Sequence, residues 1–414
     1  MQNLIKKTLQ NGLRVLVYQD KSAQMCCVDI VYKVGARNEN PNQTGLAHLL
    51  EHLMFGGTER FPDFDTLVQA AGGESNAYTS NDVTHYYLNL PPENIELAFQ
   101  LESDRMANPP SSESLLQIQK QVVIEEFKET SLNQPYGDLW ELIRTMTYGE
   151  HSYGWCTIGK EIAHIESVTL SDVQKFFENF YRPDNAVLVV SGNIDPEKVW
   201  ALAAQYFENI TVKKSAKTTT EETFTQVHEK FLMVERDVPF DLIYKAYPMC
   251  KRMDNNYFAY DLLSDILGGG RSSRLYQHLV VEKAYCSDAN AFITGSFDEG
   301  LLLITARPNP GIDLQQIDDG IQKLLTSIDL ISDYELQKVK NKVETSLLFA
   351  DLRLQEKSSA IALAETLSSA EFLDEERALY FQVTSEDVLK LLKCQLTEKQ
   401  ASTLYYKGIN QNFS

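Results

Sequence analysis

The segment TGLAHLLEHLMFGGT, residues 44–58, contains two of the seven histidines of the chain and a glutamate directly before the second. His48 and His52 are four residues apart, so on a helix both imidazoles stand on the same face and can reach one metal ion. Glu51 lies on an adjacent side of that face. Zinc lowers the pKa of a bound water to roughly 7, and a neighbouring carboxylate can accept its proton as the water attacks a carbonyl. The spacing therefore predicts a hydrolytic zinc site.

A different interpretation of the two histidines is that they are core residues satisfied by backbone carbonyls. With seven histidines and 58 acidic residues in 414, the order His-x-x-acid-His is rare by chance. The neighbouring residues are apolar, and unpaired polar side chains in such surroundings are costly. We therefore interpret His48 and His52 as metal ligands and Glu51 as a general base.

The elements that must position these residues alternate between strand and helix patterns. The segments GLRVLVYQD and CVDIVYKVG alternate with period 2 and predict paired strands near the start. ESNAYTSNDVTHYYLNLP predicts two further strands or one long bent strand. Helices are predicted from about residue 44, over about 64–71, over about 95–106 and over about 112–130. This is an α+β pattern, with strands packed against helices.

The chain also resembles itself at a fixed offset. VTLSDVQKFFENF from Val168 matches VTSEDVLKLLKCQ from Val383, 215 residues later. LRVLVYQD near the start matches EKFLMVERD in the second half. We therefore predict two homologous α/β sandwich domains from an internal duplication, each a mostly antiparallel sheet with helices on one face. Their predicted bounds are 1–210 and 228–414, and the Thr- and Lys-rich segment 211–227 is the predicted linker.

Composition excludes several classes of function. The net charge of −20 argues against nucleic acid as a partner, and it is explained either by solubility or by attraction of basic substrates. The sequence contains no run of about 18 apolar residues, which is the length that a membrane-spanning helix requires. The six cysteines form no CxxC pair, which argues against a disulfide framework or a cysteine-based zinc site. No signal-peptide pattern opens the chain, so we expect a cytoplasmic protein.

The order H-x-x-E-H is that of the inverzincins. GLAHLLEHLMFGGTERFP resembles the signature of the pitrilysin/insulinase family of zinc peptidases, which includes the mitochondrial processing peptidase. The resemblance continues through GGESNAYTSNDVTHYYLNLP, QVVIEEFKE, FYRPDNAVLVVSGNI and LGGGRSSRLYQHL, in family order over most of the chain. It implies a zinc metalloendopeptidase with one Zn²⁺ per chain and a peptide substrate.

The resemblance also implies the third metal ligand. In the family it is a glutamate some seventy to eighty residues past the second histidine, and here Glu126 follows His52 by 74 residues. Helical spacing alone leaves Glu125 open, because either carboxylate could face inward. Many relatives carry another acid seven residues before the ligand, and this chain has Gln119 there. Manganese or cobalt could replace zinc in such a site.

The substrate contacts are likewise implied by the resemblance. GGESNAYTSND resembles the family's substrate strand, an edge strand that pairs with an extended peptide. On that likeness Asn76 and Ala77 lie beside the scissile bond. Relatives often carry an arginine and a tyrosine that bind the substrate carbonyl. Here Tyr285 matches the tyrosine, which is either a substrate contact or a core residue, while Val280 stands where arginine is expected.

Family members enclose peptides in a chamber of four such domains, so a two-domain chain implies a dimer. The Val280 departure favours a heterodimer with a paralogous chain, and a homodimer remains open. The resulting hypothesis is a zinc endopeptidase that cuts short or unfolded peptides inside a closed chamber. Its rivals are a non-catalytic structural subunit of the same fold and a catalytic subunit active only with its partner.

Overall fold

The computed structural model describes residues 3–211, 230–295 and 297–409. These residues form two compact units, each built on one β-sheet with packed helices. The first unit contains residues 3–127, 155–211 and 348–375. The second contains the described residues of 128–154, 230–347 and 376–409. The predicted α+β class is confirmed.

The first sheet has six strands in the order β1-β2-β6-β3-β5-β4. All neighbouring pairs are antiparallel except β2 and β6. The strands are β1 (Leu4–Thr8), β2 (Arg14–Gln19), β3 (Cys26–Tyr32), β4 (Glu74–Thr79), β5 (Thr84–Leu90) and β6 (Ala186–Gly192).

The expected direct pairing of the two strands near the start is wrong. The strand β6 lies between β2 and β3, so that Val189 is paired with Leu16 on one side and Asp29 on the other. All seven residues of β6 are buried. Its sequence AVLVVSG is mostly apolar on both faces, as a central strand requires. The prediction failed because the period-2 pattern of the early segments carries no information about β6, which begins at Ala186.

The second sheet has five strands in the order β7-β11-β8-β10-β9, and only β7 and β11 are parallel. This order and these directions repeat β2-β6-β3-β5-β4 of the first sheet. The strands are β7 (Lys230–Arg236), β8 (Leu242–Met249), β9 (Cys286–Ile293), β10 (Gly300–Pro308) and β11 (Ser402–Gly408). The predicted duplication is therefore confirmed at the level of topology.

Fourteen α-helices occur in the described residues. They are α1 (Leu46–Phe55), α2 (Phe64–Ala70), α3 (Ile95–Ala107), α4 (Glu113–Phe127), α5 (Leu139–Tyr148), α6 (Ile162–Ser167), α7 (Leu170–Phe180), α8 (Pro196–Phe207), α9 (Tyr257–Gly268), α10 (Leu314–Ser327), α11 (Asp333–Asp351), α12 (Leu354–Leu367), α13 (Phe372–Gln382) and α14 (Ser385–Gln395). The main core of the first unit packs α1, α3, α4, α7 and α8 against one face of its sheet.

Two helices join the unit formed by the other half of the sequence. The helix α12 packs against β3 and β6 of the first unit, where Ser359 donates a hydrogen bond of 2.9 Å to the buried Asp29. The helix α5 packs against β7, β8 and β11 of the second unit. Leu139 and Leu354, which begin these helices, are separated by the same 215 residues as the repeated sequence.

The predicted linker 211–227 lies outside the described residues apart from Thr211. The predicted division into 1–210 and 228–414 remains a prediction, and the exchange of α5 and α12 is a feature that it did not include. None of the described helices combines the length and apolar composition needed to cross a bilayer.

Candidate metal centre

The helix α1 is anchored at its start by a glutamate from the preceding loop. Gly45 adopts a left-handed conformation with φ of 90° at the N-cap, a conformation that favours glycine. The carboxylate of Glu39 accepts hydrogen bonds from the N–H groups of Gly45 (2.9 Å) and Ala47 (2.8 Å), which helix geometry would otherwise leave unpaired. The indole N–H of Trp155 donates to the same carboxylate at 3.0 Å. These hydrogen bonds hold the N-terminus of α1 in place, within one helical turn of His48.

The opposite wall of the site is α4, which packs against α1. Leu116 and Val123 are fully buried, whereas the next stripe around the helix is exposed at Ile118 and Val122. Glu126 lies on the inward side and is half-buried, while Glu125 is exposed. The structure therefore brings Glu126, and not Glu125, toward the histidines.

A glycine permits the close approach of these two helices. A Cβ atom at Gly56 would lie 2.4 Å from Cδ2 of Leu115, the partly buried residue that α4 packs against the end of α1. A larger residue at this position would therefore require the Leu115 side chain to move.

The side chains of His48, His52 and Glu126 converge so that one donor atom of each lies within 4.8 Å of the others. Oε2 of Glu126 is 3.4 Å from Nε2 of His52 and 3.8 Å from Nε2 of His48. Ligand atoms about 2.1 Å from one tetrahedral ion lie roughly 3.4 Å apart, so only small side-chain adjustments would be needed. Two imidazoles and one carboxylate form a donor set that suits zinc and leaves a fourth position for water. The residues present fit the metal.

The electrostatics of His48 and Glu126 suit metal binding, whereas the raised pKa of His52 favours a proton that a bound metal would have to displace. Burial lowers the pKa of His48 to about 4, which keeps its imidazole neutral near pH 7. The hydrogen bond to Glu126 raises the pKa of His52, and the same contact lowers the pKa of Glu126, whose carboxylate is therefore ionised. A neutral imidazole and an ionised carboxylate are the forms that coordinate metals.

Glu51 lies beside this cluster and is only 8% exposed. Burial raises the pKa of its carboxyl, while hydrogen bonds from Thr79 oppose the rise. The hydroxyl of Thr79 donates to Oε2 of Glu51 at 2.5 Å. A carboxyl group with a raised pKa is suited to accept and then release a proton.

The predicted substrate residues Asn76 and Ala77 lie on β4, which is one of the two edge strands of the first sheet within the described residues. Asn76 is exposed and Ala77 is half-buried. The N–H of Ala77 donates to Oδ1 of Asn76 at 2.8 Å. Since directions repeat every second residue in a strand, this N–H points to the same open side as the N–H of Thr79. The edge therefore offers main-chain groups next to α1, against which β4 packs.

The remaining predicted substrate residue, Tyr285, belongs to the second unit and is half-buried. Its N–H donates to the carbonyl of Leu279 at 2.9 Å, and its carbonyl accepts from the N–H of Asn309 at 2.8 Å. Val280 lies in the π-helical turn Tyr276–Glu282 just before it. The substrate role of Tyr285 remains a prediction.

Two residues of the site were missed from the sequence. Thr79 could have been found from period 2, since it follows Ala77 on the same face of a predicted strand. Glu39 had no local signal, because its partners lie six or more residues away along a loop. Gln119, noted only as a departure, contributes to the raised pKa of His52.

Comparisons with known proteins match two family models to successive parts of this chain. Residues 14–159 match the family model described as "Insulinase (Peptidase family M16)". Residues 167–343 match the one described as "Peptidase M16 inactive domain". His48, His52 and Glu126 all lie within the first of these ranges.

Individual relatives are similar over most of their length. The zinc protease PqqE of Helicobacter pylori is 32% identical over 80% of this chain and 77% of its own. An uncharacterised zinc protease of Bacillus subtilis, YmxG, is 28% identical over 84% of each chain. The crystal structure of a protease from Helicobacter pylori superposes with a TM-score of 0.91 at 28% identity, covering 98% of this chain and 99% of the other.

Proposed function

Since the chain belongs to the insulinase family of peptidases, family M16, we propose that it is a zinc-dependent endopeptidase that hydrolyses short or unfolded peptides. The observation that carries this proposal is the convergence of His48, His52 and Glu126 beside the buried carboxylate of Glu51. Relatives named zinc proteases support the same chemistry.

In the proposed mechanism His48, His52 and Glu126 hold one zinc ion. When bound, zinc supplies a Lewis acid that polarises the peptide carbonyl and acidifies a water molecule. Glu51 accepts the proton of the attacking water and then delivers it to the leaving amine. Burial of Glu51 favours this role, because a raised pKa makes its carboxylate a stronger base toward the proton of the attacking water.

The peptide would pair with the open edge of β4. Main-chain groups of Ala77 would form the ladder, and the amide of Asn76 would turn from the N–H of Ala77 to the substrate. Such pairing depends on the extended main chain of the peptide more than on its side chains. It therefore suits short or unfolded peptides and excludes folded proteins. A contact from Tyr285 to the substrate carbonyl and an enclosed chamber formed by a dimer are further parts of the proposal, which rest on the resemblance.

A second candidate is a subunit that needs a partner chain for activity. The observation that favours it is Val280, which stands where relatives often carry the arginine of the substrate-binding pair. A third candidate, a structural subunit without catalysis, is disfavoured because all three metal-ligand side chains and Glu51 are present.

The test is metal analysis combined with cleavage of a quenched-fluorescence peptide library. The wild-type chain should contain one zinc per chain and cut peptides, and chelation should abolish the cleavage reversibly. Glu51→Gln should keep its zinc and lose cleavage by at least about 100-fold, since positioned general bases contribute 10²–10⁴-fold. Glu59→Gln, the same change at an exposed position, is the matched control.

The outcomes separate the three candidates. Full turnover by Glu51→Gln would rule out the mechanism. Cleavage that appears only when a second two-domain chain from the native host is added would establish the partner-dependent subunit. Zinc without cleavage under either condition would leave the structural subunit.

A further inference from the structure

Thr79 donates a hydrogen bond from its side chain to the carboxylate of Glu51. It is the last residue of β4. Its hydroxyl lies 2.5 Å from Oε2 of Glu51. An edge strand and a helix side chain are therefore joined at a single residue.

The position of Thr79 is fixed by the turn that follows it. The N–H of Ser80 donates to the carbonyl of Val83 at 2.8 Å and closes the turn into β5. The carbonyl of Ser80 accepts from the N–H of Ala36 at 3.1 Å. Gly35 packs so tightly on this turn that a Cβ atom there would lie 2.3 Å from the same carbonyl. Thr79 therefore directly precedes a turn that is hydrogen-bonded to a second segment of backbone, at Ala36.

The carboxylate of Glu51 depends on such a support. Its side chain has three rotatable bonds, and a buried carboxylate without partners is strongly disfavoured. A general base must be held within hydrogen-bond reach of the proton that it takes. Because the backbone of Thr79 is held by the turn that follows it, the hydrogen bond from its hydroxyl selects one orientation of the Glu51 carboxylate out of those that the side chain could adopt.

We propose that Thr79 is the positioning residue of the general base, coupling the orientation of Glu51 to the strand on which the peptide is bound; this inference rests on the proposed function. One residue thereby links the base on α1 to the edge strand β4. Thr79 itself does not touch the reacting atoms.

The test removes the hydroxyl without changing the shape of the residue. Thr79→Val retains the β-branched side chain that suits a strand and loses the side-chain donor. We expect kcat to fall about 10- to 100-fold, the worth of one hydrogen bond to a charged group, with KM changed less than about threefold and zinc content unchanged. Thr79→Ser should recover most of the lost kcat. Thr326→Val, in the exposed part of α10, is the matched control.

A measurement that does not depend on catalysis, the position of the Glu51 carboxylate in crystals, separates this inference from the proposed function. In crystal structures of the metal-free protein, the carboxylate of Glu51 should keep its position in Thr79→Ser and leave it in Thr79→Val. An unmoved carboxylate, an unchanged kcat in Thr79→Val, or a serine variant as slow as the valine variant would each overturn the inference. A wild-type protein that cleaves nothing would instead overturn the proposed function, and the crystal structures would still decide the role of Thr79. Thr79→Ala replaces the valine variant if the latter fails to fold.

Discussion

Two adjacent glutamates at the end of α4 differ in what surrounds them. Glu126 lies 3.4 Å from His52 and is half-buried, whereas Glu125 is exposed to solvent. The difference arises because successive residues on a helix are about 100° apart, so only one of the pair can lie on the side that faces α1. Charge, size and helix propensity are the same for both, which makes them an internal control for each other.

At this scale we expect Glu126→Gln to lower zinc affinity by at least about 100-fold, because even residues that only support a metal ligand contribute 10- to 100-fold. Glu125→Gln should stay within about twofold of the wild type. Competition with a fluorescent chelator measures both. Equal losses in the two variants would mean that the effect comes from helix stability rather than from coordination.

At the scale of elements, α1 depends on a carboxylate outside the helix. Glu39 is 7% exposed and satisfies two N–H groups of the first turn together with the indole of Trp155. The helix that carries the two histidines is therefore held by a buried ionisable group.

This anchor should make stability depend on pH. Burial raises the pKa of Glu39 from 4.5 to about 8, against the opposing effect of its hydrogen bonds. Between these values the native protein keeps a proton that the unfolded chain has released, so the contribution of Glu39 is complete below pH 4.5 and is lost as the pH rises toward 8. We expect the free energy of unfolding of the wild type, relative to Glu39→Gln, to fall by up to about 1.4 kcal/mol per pH unit in this range.

Denaturant unfolding of the two metal-free proteins at pH 5, 6, 7 and 8 measures this difference. A difference that is constant or grows with pH would show that the three donors keep the carboxylate ionised, and that Glu39 is a permanent negative cap.

At the scale of the whole molecule, each compact unit takes one helix from the other half of the sequence. The helix α12 covers a sheet face that contains the buried pair of Asp29 and His85, which are 2.7 Å apart and fully shielded from water. Ser191 donates to Ser358 on the same face at 2.8 Å. A first half without α12 would expose this face, and it would also leave the buried face of α5 without its sheet.

We therefore expect a fragment of residues 1–211 to lack a cooperative unfolding transition and to bind zinc poorly. The same fragment with residues 348–375 fused through a flexible Gly/Ser linker should regain part of both properties. Circular dichroism during urea titration and zinc binding by dialysis measure them, with the full chain as the reference. Cooperative unfolding and full zinc binding by the fragment alone would contradict the expectation.

The sequence by itself determined the local and repeating features. Spacing of four placed His48 and His52 on one helical face, alternation indicated the strands, and the offset of 215 residues predicted two sheets of the same order. These follow from the sequence because each depends on residues close in the chain or on a comparison of the chain with itself.

Only the tertiary structure decided which distant groups meet. It inserted β6 between β2 and β3 and exchanged α5 and α12 between the units. Helical spacing left both Glu125 and Glu126 open, the family resemblance indicated Glu126, and the structure places Glu126 beside the histidines. The physical reason is that these outcomes depend on long-range packing, which periodicity does not encode. The same holds for the contacts of Thr79 and Glu39, whose donors and acceptors become neighbours only when strand, loop and helix pack against one another.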